Sequence, residues 1–286
     1  MSYLLPTVKH PPHHKSGRPK AVGFGMGKVT RQKKLSELIS RHGECSIELL
    51  AQELAVSEMT IRRDLQSLTE SGKVIRTHGG AAMGDRVSFE FKFLERSNEH
   101  REAKEAIAKL AAERIGESRA ILLDSGTTTL AIAEELKSFS GLTVVTTSLP
   151  IAARLQFCPD IEVLLLGGYL RESTPDLSGA LTESNLSTLR ADVAFLGTQG
   201  IDAEGRLYQQ TPELASLVSK MSATAEAVYV VADSSKLGKT SLCISGRIQD
   251  CAGLITDMDA DRKFVKSLTE RGGNVLQTGR KLRKSS

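Results

Sequence analysis

Residues 45–64 read CSIELLAQELAVSEMTIRRD, and this stretch determines the fold predicted for the first part of the chain. Ser46 is placed to cap one helix, and Ser57, which follows a short break, is placed to cap the next. In that second helix, apolar residues recur at Ile61, Leu65 and Leu68, the spacing that buries one face of a helix. Two short capped helices separated by a tight break predict a helix-turn-helix.

The flanking residues extend this pair of helices to a winged unit. Residues 30–42 carry an apolar helical stripe and predict a helix before the pair. After the pair, residues 73–78 predict a short strand, and Gly79 and Gly80 predict a tight turn. Three helices followed by a β-wing predict a small winged helix-turn-helix domain over residues 28–83.

The polar residues of the third helix are candidates for contact with DNA. The N-terminal half of this helix enters the major groove in helix-turn-helix proteins. Arginines neutralise phosphates, and Arg, Thr and Gln side chains hydrogen-bond to base edges. On the wing, Arg76 and His78 are placed to reach a phosphate or the minor groove. Within and after a helix-turn-helix span from Cys45 to Asp64, the predicted DNA-binding residues are Ser57, Glu58, Thr60, Arg62, Arg63, Gln66, Arg76 and His78.

The charge distribution supports this interpretation. Residues 1–86 hold 14 lysines and arginines against 8 aspartates and glutamates, whereas the rest of the chain holds 24 against 26. A basic segment joined to a nearly neutral one is typical of a module that binds a polyanion. The alternative is a solvated amphipathic helix in which Arg63 pairs locally with Asp64.

Composition also bounds the class of protein. Residues 1–27 predict a disordered basic tail, and residues 279–286 predict a second basic tail. No apolar run approaches the roughly 18 residues that span a bilayer, so no membrane partner is expected. The four scattered cysteines favour reduced thiols in a cytoplasmic protein and no metal site.

After a polar connector at 84–103, the pattern of residues 104–278 changes to alternating strands and helices. The predicted strands are short continuous apolar runs, at 120–124, 142–147, 161–166, 192–197, 227–232 and 251–255. Predicted helices lie around them, at 102–115, 129–138, 149–156, 183–190, 212–225 and 260–271. Such strands predict a mainly parallel sheet covered on both faces, and therefore a larger α/β domain.

Ligands of such sheets bind at the carboxyl ends of the strands. Strand 120–124 runs into the sequence DSGTTT at 124–129, where a glycine and hydroxyl groups at a helix N-terminus favour phosphate. An ordinary capping turn is the alternative. With the other strand ends, the predicted effector-binding residues are Asp124, Ser125, Gly126, Thr127, Thr128, Thr129, Thr147, Ser148, Gly168, Gly200, Asp202 and Lys236.

Two stretches carry a resemblance to a known family. The run VSEMTIRRDL at 56–65 and the run RTHGGAA at 76–82 resemble the DeoR family of bacterial sugar-metabolism regulators, and the resemblance extends over residues 28–278. It implies a sensor domain similar in fold to ribose-5-phosphate isomerase. It also implies a sugar phosphate inducer bound near residues 124–129 and Lys236.

We therefore predict a DNA-binding transcription regulator, a repressor of a sugar-catabolism operon that is relieved by a sugar phosphate. Its expected partners are double-stranded operator DNA, the effector and further copies of itself, since such proteins contact two half-sites. No cofactor and no enzymatic activity are expected.

Two other classes of function compete with this prediction. One is a sugar-phosphate isomerase fused to a DNA-binding domain, with Asp202, Asp233 and Lys236 as acid and base. Against it, no closely spaced carboxylate cluster such as Asp-Gly-Ala-Asp stands in residues 196–206. The other is an architectural nucleic-acid protein, which would not need the glycine-rich strand ends.

Overall fold

The computed structural model describes residues 26–70, 74–77, 79–83, 93, 95–171 and 174–279. Most of the predicted N-terminal tail, the first part of the predicted connector and nearly all of the C-terminal tail lie outside these residues. Among the described residues, no helix has the length and apolar character needed to cross a membrane.

The first domain is a winged helix-turn-helix. Its elements are α1 (Lys28–His42), β1 (Glu44–Ser46), α2 (Ile47–Glu53), α3 (Glu58–Glu70), β2 (Val74–Arg76) and β3 (Gly80–Met83). The hydroxyl of Ser46 accepts a hydrogen bond from the Leu49 N–H at 3.2 Å, and that of Ser57 accepts one from the Thr60 N–H at 3.3 Å. Both predicted caps are thereby confirmed.

The wing is larger than the sequence indicates. Its three strands form an antiparallel sheet in the order β1–β3–β2. β1 has three residues and β3 has four, which is too short for an alternating pattern to be distinguished from a turn. Their pairing is therefore a product of the tertiary fold.

The second domain alternates helices and strands. Its helices are α4 (Arg101–Ala112), α5 (Thr127–Leu136), α6 (Leu149–Leu155), α7 (Ala180–Leu186), α8 (Pro212–Thr224) and α9 (Arg262–Glu270). Its strands are β4 (Ala120–Leu123), β5 (Leu142–Thr146), β6 (Ile161–Leu165), β7 (Tyr169–Leu170), β8 (Leu177–Ser178), β9 (Ala191–Leu196), β10 (Gly200–Ile201), β11 (Arg206–Gln209), β12 (Ala225–Val231), β13 (Cys243–Arg247), β14 (Gly253–Thr256) and β15 (Val275–Gln277).

Seven of these strands form one sheet in the order β15–β14–β12–β9–β4–β5–β6, and every pairing in it is parallel. Ile121 and Leu123 of β4 pack in the cluster that includes α4, α5 and α6, whereas Leu122 packs with α7 and α8. Successive residues of a strand point to opposite faces, so burial on both sides requires an unbroken apolar run. The predicted parallel sheet is confirmed.

Three features of this domain were not predicted. They are the β7–β8 hairpin, the antiparallel sheet β10–β11–β13 and the edge strand β15. β7, β8 and β10 have two residues each and give no readable period. The carboxyl ends of the central strands β4, β9 and β12 meet at one edge of the large sheet, and this edge carries the site described next.

Candidate DNA-binding surface and ligand cavity

Helix α3 is amphipathic in the sense the sequence predicts. Ile61 and Leu65 are fully buried, while Arg62 and Arg63 are exposed on the opposite side. Of the other candidates on or beside this helix, Ser57, Glu58 and Gln66 are exposed and Thr60 is half-buried. The helix thus presents two arginines and several hydrogen-bonding groups to solvent, as contact with DNA requires.

Asp64 does not pair with Arg63. Its carboxylate is buried and accepts hydrogen bonds from Arg31 Nε at 2.5 Å and from Gln32 Nε2 at 3.3 Å. These contacts join α3 to α1. The local pairing considered as an alternative is therefore wrong, and the charge of Arg63 is not neutralised by its neighbour.

The wing contacts the same helix. A terminal nitrogen of Arg76 donates to the carbonyl oxygen of Arg62 at 2.9 Å, while the guanidinium of Arg62 lies 3.5 Å from the Glu58 carboxylate. Arg76 is exposed, so the wing adds a cation beside the exposed side of α3. His78, the other wing candidate, lies outside the described residues.

The second domain contains a cavity of about 430 Å³ at the carboxyl ends of β4, β9 and β12. Half of the predicted effector-binding residues line it, namely Asp124, Ser125, Gly126, Thr127, Thr128 and Lys236. They come from the β4–α5 turn and from the turn after β12. The parallel topology brings together these two stretches, which are more than a hundred positions apart in sequence.

The N-terminus of α5 opens toward this cavity. Gly126 is the N-cap and supplies no side-chain hydrogen bond to the first turn. The hydroxyl of Thr129 points to main-chain carbonyl oxygens and shares its one hydrogen between those of Asp124 at 2.6 Å and Gly126 at 2.9 Å. Among the residues that the structure describes, no side chain therefore caps the first-turn N–H groups, a condition that favours an anionic oxygen.

Asp124 is held below this turn by main-chain donors. Its carboxylate accepts the Ser125 N–H at 2.6 Å and the Gly197 N–H at 3.0 Å. Burial raises the pKa of Asp124, and the nearby Asp176 raises it further, while the two N–H groups act in the opposite direction. The carboxyl is fixed in place and is less acidic than a free aspartate.

A second carboxylate, that of the fully buried Asp176, organises the cavity wall. Asp176 accepts two hydrogen bonds from the guanidinium of Arg171, at 2.7 and 2.6 Å, and one from Thr174 Oγ1 at 2.8 Å. The hydroxyl of Ser125 also donates to it. Since Arg171, Thr174 and Ser125 line the cavity, Asp176 positions three lining residues. No sequence pattern identified Asp176 or Arg171, because their neighbours include short strands and turns without a period.

The segment before α4 forms another part of the wall, which was also not predicted. Its lining residues are Phe93, Glu95, Arg96, Glu99 and His100, and Lys104 of α4 lines the cavity beside them. Lys104 shares the inward side of α4 with Ile107 and Ala111, which are fully buried. A lysine on an otherwise apolar helical stripe was the available signal, since lysine is rarely buried without a partner.

The other six predicted effector residues do not line the cavity. Thr129 faces the main chain, as described above, and Ser148 caps α6 by accepting the Ile151 N–H at 3.4 Å. Thr147 is fully buried, and its hydroxyl has no hydrogen-bond partner among the residues that the structure describes. These three hydroxyl residues are turned into the protein.

The two glycines outside the cavity have structural roles. A Cβ on Gly168 would lie 2.6 Å from the Ser178 carbonyl oxygen, and a Cβ on Gly200 would collide with the main chain of Lys239. Each glycine therefore allows two segments to approach closely. Neither contributes to the cavity wall.

Asp202 lies in the β10–β11 turn and is committed to that turn. It accepts hydrogen bonds from Arg206 Nε at 2.6 Å and from the Tyr208 hydroxyl at 2.8 Å. Burial disfavours its ionised form, but these bonds and one from the Arg206 N–H outweigh burial and lower the pKa of Asp202. Its predicted role toward a ligand is replaced by a structural one. In the described part of the chain, no group of three His, Cys, Asp or Glu residues is arranged to hold a metal ion.

A winged helix-turn-helix joined to an α/β domain with an anion-favouring cavity defines a DNA-binding protein that responds to a small molecule. Comparison with known families agrees with this class. Residues 31–87 match the DeoR-like helix-turn-helix domain, and residues 99–258 match the DeoR C terminal sensor domain. The chain belongs to the DeoR family.

Named relatives match over nearly their whole length. The chain is 35% identical to the HTH-type transcriptional regulator GlpR of Haloferax volcanii, over 86% of this chain and 96% of that one. It is 32% identical to the glycerol-3-phosphate regulon repressor of Escherichia coli K12, over 86% and 97%. A solved structure of ribose 5 phosphate isomerase A from Neisseria gonorrhoeae matches at 19% identity and a TM-score of 0.34, over 47% of this chain and 52% of that one. Because this likeness is weak and covers about half of each chain, nothing about activity follows from it.

Proposed function

We propose that this chain is a transcriptional repressor that binds operator DNA through α3 and the wing, and releases it when a phosphorylated sugar or polyol occupies the cavity. The observation that carries the proposal is the uncapped N-terminus of α5, which faces the same cavity as Lys236. The names of the relatives support it, since one is a glycerol-3-phosphate regulon repressor and another, from Agrobacterium fabrum, is the transcriptional repressor AccR.

The chemistry of the cavity suits both parts of such a ligand. Helix N-terminal amides and a lysine are donors to a phosphate. Glu95 and Glu99 add carboxylates and Gln209 adds an amide to the same wall, and these groups accept hydrogen bonds from sugar hydroxyls. A volume of about 430 Å³ lies in the range of small-molecule sites.

We propose that the cavity binds its ligand without converting it. Of the residues considered for acid–base catalysis, Asp202 lies outside the cavity and is bonded to Arg206 and Tyr208. Asp233 lines the cavity but accepts the Ser235 N–H at 3.0 Å. A general base must reach the proton that it removes. Incubation with ribose 5-phosphate that produced a ketose phosphate in a protein-dependent way would contradict this part of the proposal.

We also propose that the active form is a homo-oligomer. Helix-turn-helix proteins read two half-sites about one helical turn of DNA apart, and one copy supplies a single recognition helix. Light scattering on the full chain with and without operator DNA measures this directly. A monomer in both conditions would contradict it.

The decisive experiment for ligand binding uses Gly126. Operator fragments are first selected from random DNA by the full-length protein. The complex is then titrated with glycerol 3-phosphate, ribose 5-phosphate and fructose 6-phosphate. At least one of them should release the wild type, whereas Gly126→Val should bind DNA and respond weakly. A Cβ at Gly126 would lie in ordinary contact with Thr129 Oγ1 at 3.4 Å and 3.9 Å from the Thr128 nitrogen, so we expect the fold to tolerate the added side chain and the anion to be excluded by it.

A matched control comes from Gly167, which follows β6 and does not line the cavity. Within the described part of the chain, a Cβ there meets only the Leu181 side chain within 4 Å, at 3.7 Å. Gly167→Val should therefore respond to ligand as the wild type does. Equal sensitivity of Gly126→Val and the wild type would place the effector elsewhere.

A further inference from the structure

The ammonium group of Lys104 joins the cavity to the segment that precedes α4. Its Nζ donates to the carbonyl oxygen of Glu99 at 2.7 Å and to that of Arg96. The residue is 6% exposed and lines the cavity. Burial lowers the pKa of Lys104; Asp233 raises it again, and Lys236 lowers it further. A buried cation thus faces main-chain oxygens on one side and the ligand space on the other.

The two carbonyl oxygens lie in the short helical turn at residues 95–100, which ends just before α4. Residues 95–98 are helical and the turn ends at residues 99–100, with the Glu99 N–H donating to the Glu95 carbonyl at 2.9 Å. The last carbonyl oxygens of a helical turn accept no hydrogen bond from an N–H of the same turn. A cation close to them is therefore stabilising. Lys104 therefore holds this turn against α4.

An anionic ligand in the cavity reaches the same ammonium. A lysine has three N–H donors; the two carbonyls engage two of them, which leaves one for an oxygen of the ligand. Hydrogen bonds between two charged groups are stronger than those from a cation to a neutral carbonyl. A phosphate between Lys236 and Lys104 would draw the ammonium toward the cavity and away from the turn at residues 95–100.

We propose that Lys104 is the positioning residue through which ligand occupancy is transmitted: bound phosphate withdraws its ammonium from the carbonyls of Arg96 and Glu99 and loosens the turn at residues 95–100. This inference rests on the proposed function. Along the chain, this turn lies between the wing and the first strand of the large sheet. It is thus the segment through which the second domain acts on the first. A ligand shifts such an equilibrium only by its differential affinity for the two states, and the withdrawn ammonium supplies that difference.

The test compares Lys104→Met with Lys109→Met, which removes an exposed lysine from the same helix. Operator affinity is measured by fluorescence anisotropy without ligand and at saturation with whichever of the three sugar and polyol phosphates releases the wild type. In the wild type the ligand should raise the operator Kd by roughly 5–150-fold. Lys104→Met lacks the ammonium at all times. It should have the raised Kd without ligand and change little when ligand is added.

Lys104→Arg retains the charge and should recover part of the response, and Lys109→Met should behave as the wild type. Saturating ligand separates lost coupling from weaker ligand binding. If Lys104→Met bound operator as tightly as the wild type and released it equally, Lys104 would have no such role. If none of the three compounds released the wild type, the proposed function itself would fail, and this inference with it.

Hydrogen exchange in the wild type tests the same step without a substitution, and decides the matter if Lys104→Met does not fold. Addition of the releasing compound should speed exchange of the Glu99 N–H, because its bond to the Glu95 carbonyl opens when the turn loosens. Exchange at Glu99 that slowed or stayed constant while operator was released would overturn the proposal.

Discussion

The exposed side of α3 and the wall of the ligand cavity both carry charge, but they hold it in opposite ways. The side chain of Arg62 is half exposed, and its contact with Glu58 is a surface ion pair. In the cavity wall, Asp176 is fully buried and is bonded to Arg171, which is itself 16% exposed. If either partner of the Arg62–Glu58 pair is removed, water solvates the charge that remains. If either partner of the Arg171–Asp176 pair is removed, the remaining charge is buried without a partner.

Whether a charge is solvated or is held by a buried partner depends on its burial, and it does not depend on the domain to which the residue belongs. Asp64 belongs to the DNA-binding domain and to the same helix as Arg62 and Arg63, yet it is buried and bonded to α1 as Asp176 is bonded to Arg171. One helix therefore carries both kinds of charge. Substitution at a buried charge should reduce stability, and substitution at an exposed one should affect binding and leave stability nearly unchanged.

The largest expected effect is on the buried carboxylate. Asp176→Ala leaves the Arg171 guanidinium without its bidentate partner, so the free energy of unfolding should fall by about 3–5 kcal/mol. Urea denaturation of the wild type and the variant measures this difference. The matched control is Glu226→Ala, which breaks the exposed pair between Glu226 and Arg190. It should cost about 0–1 kcal/mol. If the free energy of unfolding fell by similar amounts in Asp176→Ala and Glu226→Ala, buried and exposed ion pairs would not differ in their contribution to stability.

The next effect is on DNA binding by the exposed arginines. Arg63→Ala should weaken operator binding by about 1–3 kcal/mol if it reads a base; if it contacts a phosphate, it should weaken all sequences alike and reduce the salt slope by about one. Its stability should stay within about 0.5 kcal/mol of the wild type. Lys266→Ala removes an exposed cation of α9, which pairs with Glu270, far from the DNA-binding domain in sequence, and serves as the control.

Both measurements for Arg63→Ala are needed to interpret it. Unchanged operator affinity and an unchanged salt slope in Arg62→Ala and Arg63→Ala together would show that α3 is not the recognition helix. A large loss of stability in Arg63→Ala would mean that its exposed side chain supports the fold. Either result would contradict the expectation that substitution at an exposed charge affects DNA binding and leaves stability nearly unchanged.

The smallest effects concern pH, and here two aspartates should act with opposite signs. Burial raises the pKa of Asp124 above its ordinary value of 3.8, so the stability it contributes is present at low pH and is lost as pH rises through the raised pKa. Hydrogen bonds from the Ala120 and Arg119 N–H groups lower the pKa of Asp192. Its contribution is present above its ordinary value and is lost as pH falls through the lowered pKa.

Urea denaturation of Asp124→Asn and Asp192→Asn at a series of pH values between about 3 and 7 tests these signs, because each asparagine removes one titration. The stability of the wild type minus that of Asp124→Asn should fall as pH rises. The difference for Asp192→Asn should grow as pH rises. Parallel curves for the two variants would show that burial at Asp124 does not control its ionisation.

The sequence by itself determined the features that depend on local periodicity. The positions of Ile61 and Leu65 fixed which side of α3 is buried, and hence which side exposes Arg62 and Arg63. Unbroken apolar runs predicted the parallel sheet, and the sequence DSGTTT at 124–129 predicted the turn that opens onto the cavity. Side-chain period and capping chemistry are properties of neighbouring residues, so they can be read before the chain is folded.

Only the tertiary structure decided which distant residues meet. Asp64 finds its partner Arg31 at a separation of 33 positions, and Asp176 accepts from Ser125 at a separation of 51. The fold also placed Lys104 in the cavity wall and Asp202 outside it. A carboxylate or a lysine looks the same in sequence whether it meets a ligand, another side chain or a main-chain carbonyl. Its role is set by what the packed elements bring within hydrogen-bond distance and shield from water.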